Sequence, residues 1–295
     1  MSEYVLSACS PADISAEHFE KIGVKCLYFN YNLGGKDYID DLGKTLTYKD
    51  FYQAMRDGAD TKTSLISMDV YAEYFRSVLK SGKDIIHVAL SSGLSGSYNS
   101  ARLAAEDLKT EFPERKIYVV DSLAASGGFG LFVDAMAEMR DSGMTIDELY
   151  TWALENRLRV HHWFFSTDLS FYVKGGRISK AAGWFGTMLK ICPLLNVDNN
   201  GKLIPREKIR GKSNVIKAIF NKMVENADNG KEYNGKCFIT HSDCYEDARA
   251  VADLVEEAFP SLKGNVVINY IGSTIGAHTG PGTVALFFFG NERNN

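Results

Sequence analysis

The chain has no Cys-x-x-Cys pair, no HExxH and no excess of one charge, and each gap removes a class of function. Its five cysteines, Cys9, Cys26, Cys192, Cys237 and Cys244, share no repeating spacing. An odd, scattered set suits neither a disulfide framework nor a zinc site, so these thiols are expected to be buried and reduced. Lys+Arg of 33 against Asp+Glu of 37 gives a net charge of −4. That is too near balance for a protein that tracks a phosphate backbone, and no nucleic-acid partner is expected. The apolar run Val284-Ala285-Leu286-Phe287-Phe288-Phe289 is far short of the ~20 residues that cross a bilayer, so the chain is not expected to span a membrane. Met1-Ser2-Glu3-Tyr4 lacks the basic start and apolar core of a signal peptide, which points to the cytoplasm. There is no GxxxxGK[ST] phosphate loop, and Gly128-Phe129-Gly130 lacks the third glycine of a dinucleotide fingerprint. No cofactor is expected.

What remains is ordinary globular material, 45% hydrophobic and 24% charged over 295 residues. At about 150 residues per domain this length suggests two domains. Short apolar runs over 24–29, 84–90 and 117–120 read as buried strands. Between and after them, residues 48–56, 68–80, 95–108 and 129–139 carry apolar side chains at helical spacing. Strand and helix in alternation argue for βαβ units and a parallel sheet. A further helix over 145–159 opens with Thr145 and Glu148 in capping-box register. The rhythm changes at His161-His162-Trp163-Phe164-Phe165-Ser166. Leu194-Leu195-Asn196-Val197, followed by Asn199-Asn200-Gly201, reads as the first half of a hairpin. Alternation then returns, with strands at 237–240 and 266–270 around a helix at 245–259. The expected division is an N-terminal α/β domain over residues 1–160 and a C-terminal α/β domain with a mixed sheet over 161–295.

Ligands of parallel sheets bind beyond the carboxyl ends of the strands. Three segments expected there are small and hydroxyl-rich: Thr61-Lys62-Thr63-Ser64-Leu65-Ile66-Ser67, Ser91-Ser92-Gly93-Leu94-Ser95-Gly96-Ser97-Tyr98, and Asp121-Ser122-Leu123-Ala124-Ala125-Ser126-Gly127-Gly128. Free N–H groups at a helix start together with hydroxyls suit a carboxylate or phosphate. Ser and Thr are also ordinary N-caps, which by itself explains Ser64, Ser67 and Ser126. Gly93-Leu94-Ser95-Gly96-Ser97 nearly forms the G-x-S-x-G turn of hydrolases, but its last position is Ser97. Near the C-terminus, Ile271-Gly272-Ser273-Thr274-Ile275-Gly276-Ala277-His278-Thr279-Gly280-Pro281-Gly282 surrounds one histidine with small residues in what reads as a loop. There backbone can approach a ligand closely and His278 can supply a donor. His18 and His241 lack such surroundings, and His87, inside a strand, is expected in the core.

Taken together these motifs resemble the DegV family, the fatty-acid-binding subunits of bacterial fatty acid kinase. The resemblance runs in order through Thr63-Ser64 with Ser67, Ser91 to Tyr98, Asp121-Ser122, Gly175-Gly176-Arg177-Ile178, Lys190 with Pro193, Arg210-Gly211-Lys212, and Ile275 to Gly282. It implies a two-domain fold, an N-terminal Rossmann-like domain with a parallel sheet and a C-terminal α/β domain with a mixed sheet, holding one long-chain fatty acid between them. By motif, Thr63 and Ser95 would contact the carboxylate with His278 nearby, and the aromatic and Met-rich stretch from Trp184 to Leu189 could line an apolar tunnel. A separate kinase catalytic subunit would phosphorylate the bound acid to an acyl phosphate, so the chain itself would be a carrier and not an enzyme. Arg177, read as a surface guanidinium, would suit a contact with that kinase or its phosphates, and Arg210 is a second candidate. Any membrane contact would be transient.

Two departures stand out. Ser7-Ala8-Cys9-Ser10 replaces the family's early Asp-Ser, and Leu65-Ile66 replaces Gln-Pro. The rival reading is an enzyme processing a small acid or ester through Ser95 and His278. A third is a lipid-sensing regulator without a kinase.

Overall fold

The computed structural model describes residues 4–179 and 191–293. Strands β1 (Tyr4–Cys9), β2 (Lys25–Leu27), β6 (Asp84–Ala89) and β7 (Ile117–Asp121) form a parallel sheet in the order β2-β1-β6-β7. A small antiparallel sheet, β4-β3-β5, joins β3 (Asn30–Leu33), β4 (Lys36–Ile39) and β5 (Thr61–Ser64). Strands β8 (Val160–Ser166), β9 (Ile191–Val197), β10 (Leu203–Arg210), β11 (Cys237–His241), β12 (Val267–Tyr270) and β13 (Thr283–Phe289) make a mixed sheet in the order β10-β9-β8-β13-β11-β12. The helices, in chain order, are α1 (Ala16–Lys21), α2 (Tyr48–Arg56), α3 (Met68–Lys80), α4 (Ser97–Glu111), α5 (Ser126–Asp141), α6 (Ile146–Asn156), α7 (Ser170–Lys174), α8 (Lys212–Asn226), α9 (Tyr245–Ala258) and α10 (Ser273–Thr279).

The continuous apolar run of β6 is that of a strand covered on both faces, and Ile85 to Ala89 are all buried. His87 is core, as expected. Its Nδ1 meets Ser7 Oγ at 2.9 Å and its Nε2 lies 3.5 Å from Cys9 Sγ. The departing Ser7-Ala8-Cys9 segment therefore feeds an internal polar network. All five cysteines are free. Cys9, Cys192 and Cys237 are buried, but Cys26 and Cys244 are only partly so, a correction to the expectation for the set.

Helix α5 carries buried residues on nearly every side because it lies between the two large sheets. One core runs from Leu6, Ile86 and Val88 of the parallel sheet, through Phe129, Phe132, Val133 and Met136 of α5, to Phe164, Leu195, Phe238 and Phe287 of the mixed sheet. The helix begins at Ser126, three residues before the expected start, so Gly127 and Gly128 belong to its first turn. A Cβ on Gly127 would stand 2.7 Å from Thr240 Cγ2, and one on Gly128 would collide with the His162 ring and stand 2.7 Å from Phe287 Cδ1. Glycine sets how closely helix and sheet approach. Further along α5, the buried carboxylate of Asp134 receives His18 Nε2 at 2.6 Å and Lys236 Nζ, tying α1 and the approach to β11 to the same helix.

Several boundaries differ from the expectations. The strand expected at 24–29 keeps only Lys25–Leu27. The β4-β3-β5 sheet was not anticipated, because its strands Asn30–Leu33, Lys36–Ile39 and Thr61–Ser64 are short and polar. Thr61 to Ser64 is consequently a strand and not a loop. Helix α4 starts at Ser97 and not Ser95. The 145–159 helix ends at Asn156, with the Thr145–Glu148 capping box formed as expected. The expected hairpin is present as β9 and β10, antiparallel across the turn containing Asn199-Asn200-Gly201.

Because overpacking a tight interface costs about 1–3 kcal/mol, Gly128→Ala is expected to lower the free energy of urea unfolding by that order. An unfolding curve identical to that of the wild type would contradict the close approach of α5 to the mixed sheet.

Candidate functional site

A cavity of about 250 Å³ opens between the two large sheets at the N-terminal end of α5. This is many times the ~10–15 Å³ that one water occupies by the same measure. Its walls come from dispersed elements: Leu90 and Leu94 after β6, Ala125 and Ser126 at the start of α5, Tyr172 of α7, and Ile275 and His278 of α10. The mixed sheet contributes His162 and Phe164 from β8, Val197 from β9, Leu203 from β10, and Thr283, Ala285 and Phe287 from β13. The alternation on β13 is that of a strand between two cores. Thr283, Ala285 and Phe287 face the cavity, while Val284, Leu286 and Phe288 pack against Val215, Ile219, Val251 and Val255 under α8 and α9.

Polar groups gather at one part of the wall. Thr63, on β5, is placed by the Tyr31↔Thr63 register of the small sheet. Its Oγ1 lies 2.7 Å from His278 Nε2. His278 is on α10 and not in a loop, since residues 273–279 coil into a short helix between Gly272 and Gly280. Arg177 Nη1 lies 3.4 Å from His278 Nδ1, and also donates to the Gly175 carbonyl. Arg177 Nη2 donates to the Leu94 carbonyl at 3.1 Å. A guanidinium can only donate, so Nδ1 of His278 must accept, which leaves the proton on Nε2. Nε2–H then donates to Thr63 Oγ1, and the Thr63 hydroxyl proton is free for an acceptor in the cavity. Burial, with the Arg177 charge adding to it, lowers the His278 pKa to about 4, so the ring is neutral at ordinary pH.

Ser95 completes this part of the wall. Its Oγ accepts the Ser97 N–H at 3.2 Å at the mouth of α4, leaving its own proton to give. Ser97 is turned inward to Tyr71 OH at 2.7 Å. Ser91, in the same loop, is a structural group, its Oγ donating to the Gly201 carbonyl at 2.8 Å. This contact brings the β9–β10 turn down onto Gly93, where a Cβ would stand 2.5 Å from the Asn200 carbonyl oxygen. Asp121 Oδ1 steadies both loops by accepting the N–H groups of Ser92 and Leu123 at 3.0 and 3.2 Å. Ser126, held at φ 54° with its Oγ donating to Asp13 Oδ2 at 2.6 Å, forms a further stretch of cavity wall.

Thr63, Ser95, His278 and Arg177 all line this one cavity. Arg177 differs from its expected place. It is a half-buried member of the wall, spanning Leu94 and His278, and burial lowers its pKa. Arg210, exposed at the end of β10, is not among the lining residues. Among the described residues no hydrogen bond joins Ser95 to His278, whose two nitrogens face Thr63 and Arg177. A serine–histidine pair for ester cleavage is therefore not assembled. Leu65, at the substituted Leu65-Ile66 position, lines the cavity while 44% exposed, which puts apolar surface at its mouth. The 184–189 stretch and Lys190 lie outside the described residues. Among the described residues no group of three or more His, Cys, Asp or Glu could hold a metal ion, and no helix is long and apolar enough to cross a membrane.

The family model described as "Uncharacterised protein, DegV family" matches residues 9–291. The chain belongs to the DegV family. A DegV domain-containing protein of Clostridium perfringens is 36% identical over 293 residues, 99% of either chain. A protein of Thermotoga maritima named as a fatty acid-binding protein is 33% identical over 239 residues, covering 79% of each. Among solved structures, one described as showing fatty acid binding of a DegV family protein from Thermus thermophilus superposes with a TM-score of 0.85 at 26% identity. That match covers 97% of this chain and 99% of the other. This α/β architecture, with its parallel and mixed sheets, is thus the DegV fold.

The histidine at this DegV site carries a pH signature. Its pKa falls from about 6.5 unfolded to about 4 folded, so it supports stability above pH 6.5, and that support is lost as pH falls towards 4. NMR titration of the His278 ring is expected to show a neutral ring down to about pH 5, and His278→Gln to flatten the pH dependence of stability across this window. A titration midpoint near 6.5 would contradict the buried Arg177–His278–Thr63 arrangement.

Proposed function

We propose that this DegV protein is a carrier that holds one long-chain fatty acid in the cavity, with the carboxylate at Thr63, Ser95 and His278. The acid is offered to a separate kinase subunit for conversion to an acyl phosphate. Residues 1–160 and 161–295 act as the two walls. The observation that carries this reading is the junction of a largely apolar cavity with a cluster of hydroxyl donors, one of them set by the Arg177–His278 pair. Tail and head group then have separate roles. Each buried methylene contributes about 0.8 kcal/mol, so the chain supplies most of the affinity. The Thr63 and Ser95 hydroxyls orient the carboxylate, and charge-assisted hydrogen bonds of this kind are the stronger sort. The relatives named as fatty acid binders, at 33% and 26% identity, support the ligand class. The kinase partner rests on the ordered motif resemblance, and Arg177, at the cavity edge, is the residue proposed to meet it. No resident cofactor is needed for this role.

Denaturing extraction of the purified protein followed by mass spectrometry is expected to release about one long-chain fatty acid per chain. Protein that is lipid-free and takes up no added palmitate or oleate would overturn the carrier reading. With ATP and a fatty acid kinase catalytic subunit, the loaded protein is expected to yield an acyl phosphate that hydroxylamine traps as a hydroxamate. No hydroxamate would remove the kinase step and leave a lipid-binding protein.

A further inference from the structure

His278 serves a carboxylate only if α10 holds it opposite Thr63, and the two residues come from sequence regions more than two hundred positions apart. A helix of seven residues does not hold a position by itself, because so few turns are marginal without outside contacts. The α10 segment is instead pinned from residues of the N-terminal half. Before it, Tyr52 OH donates to the Ile271 carbonyl at 2.8 Å. At its last turn, Thr61 Oγ1 donates to the Ala277 carbonyl at 3.0 Å. At its first turn, Asp40 Oδ2 accepts both the Thr274 hydroxyl at 2.6 Å and the Thr274 N–H at 3.3 Å.

Of these three, Asp40 is the unusual one. It is a carboxylate only 2% exposed, placed at the end of β4 by its own N–H bonding to the Phe29 carbonyl at 2.8 Å. Burying such a group is costly unless its hydrogen bonds are good, and one of its oxygens takes both the hydroxyl and the N–H of Thr274, with the Ser10 hydroxyl also beside the carboxylate. Asp13, a second buried carboxylate near the start of α10, accepts from Ser126 at 2.6 Å and stands beside Gly272. We infer that Asp40 is a positioning residue for the head-group site: its grip on Thr274 fixes the register of α10, and through it the alignment of His278 with Thr63. Asp40 touches no ligand in this account. Its effect reaches the carboxylate through Thr274, the turn of α10 and the His278 ring, and it rests on the carrier reading given above.

The test compares Asp40→Ala with Asp40→Asn, whose side-chain oxygen can still accept from Thr274. Two ligands are used: palmitate, which needs the aligned donors, and methyl palmitate, whose uncharged ester gains little from them. Asp40→Ala is expected to raise the Kd of palmitate about tenfold and to leave that of the ester within about twofold, with Asp40→Asn close to wild type. A second readout needs no ligand. The ¹⁵N spectrum of His278 should show the Nε2-protonated tautomer in the wild type and in Asp40→Asn, and a tautomer mixture in Asp40→Ala. Equal losses for both ligands would make Asp40 merely structural, and an unchanged palmitate Kd with an unchanged tautomer would overturn the assignment outright. If Asp40→Ala fails to fold, Thr274→Val, which removes only the shorter of the two bonds, carries the same comparison. A wild type that binds no palmitate speaks against the carrier reading, while the tautomer still decides the role of Asp40.

Discussion

The structure depends on one close contact: the first turn of α5 laid directly against the mixed sheet, with no side chains between at Gly127 and Gly128. Because these glycines let the helix backbone reach Thr240, His162 and Phe287, the two large sheets share α5 as a common layer. Close packing of this sort leaves little freedom. The cavity lies where that layer begins, beyond Ala125 and Ser126, so its width follows from how the helix starts. The price of this arrangement is backbone strain, with Leu123 at φ 49° and Ser126 at φ 54° in the turn that leads from β7 into α5.

The chemistry of the site follows from an ordering of donors. Arg177 cannot accept, which decides the His278 tautomer, which in turn frees the Thr63 proton. Each group is weak alone, and the sequence of them converts a neutral ring and a hydroxyl into a directed donor. A neutral histidine is useful here. It avoids burying a second positive charge beside Arg177, and burial already favours that state. Ser95 stands outside this chain of donors, since His278 Nε2 meets Thr63 and Nδ1 faces Arg177.

Much of the fold was legible in the residues because it rests on periodicity. The runs at 84–90 and 117–120 and the helices at 48–56 and 68–80 coincide with β6, β7, α2 and α3 to within a residue or two. The β4-β3-β5 sheet was illegible because its strands are four residues long and polar, held by pairing and by Tyr31, Phe51 and Tyr52 packing beneath them. The helical form of 273–279 was hidden for a related reason. Its glycines and hydroxyl residues are poor helix formers, and Asp40, Tyr52 and Thr61 impose its position from far away in sequence. Of the site, the hydroxyl loops and His278 could be selected from their composition. Arg177 could be selected but not placed, since its burial depends on Leu94 and His278 arriving from other parts of the chain. The β13 alternation of Thr283, Ala285 and Phe287 was available as a signal, but an unbroken apolar run conceals which face meets a ligand.

The position of a bound acid's carboxyl group decides whether Thr63, Ser95 and His278 form a head-group site. Palmitate labelled with ¹³C at the carboxyl carbon and bound to the protein offers the most direct view by NMR. One resonance, distinct from free palmitate and displaced by both Thr63→Val and Ser95→Ala, is the result predicted here. A bound carboxyl signal that neither substitution moves would contradict it.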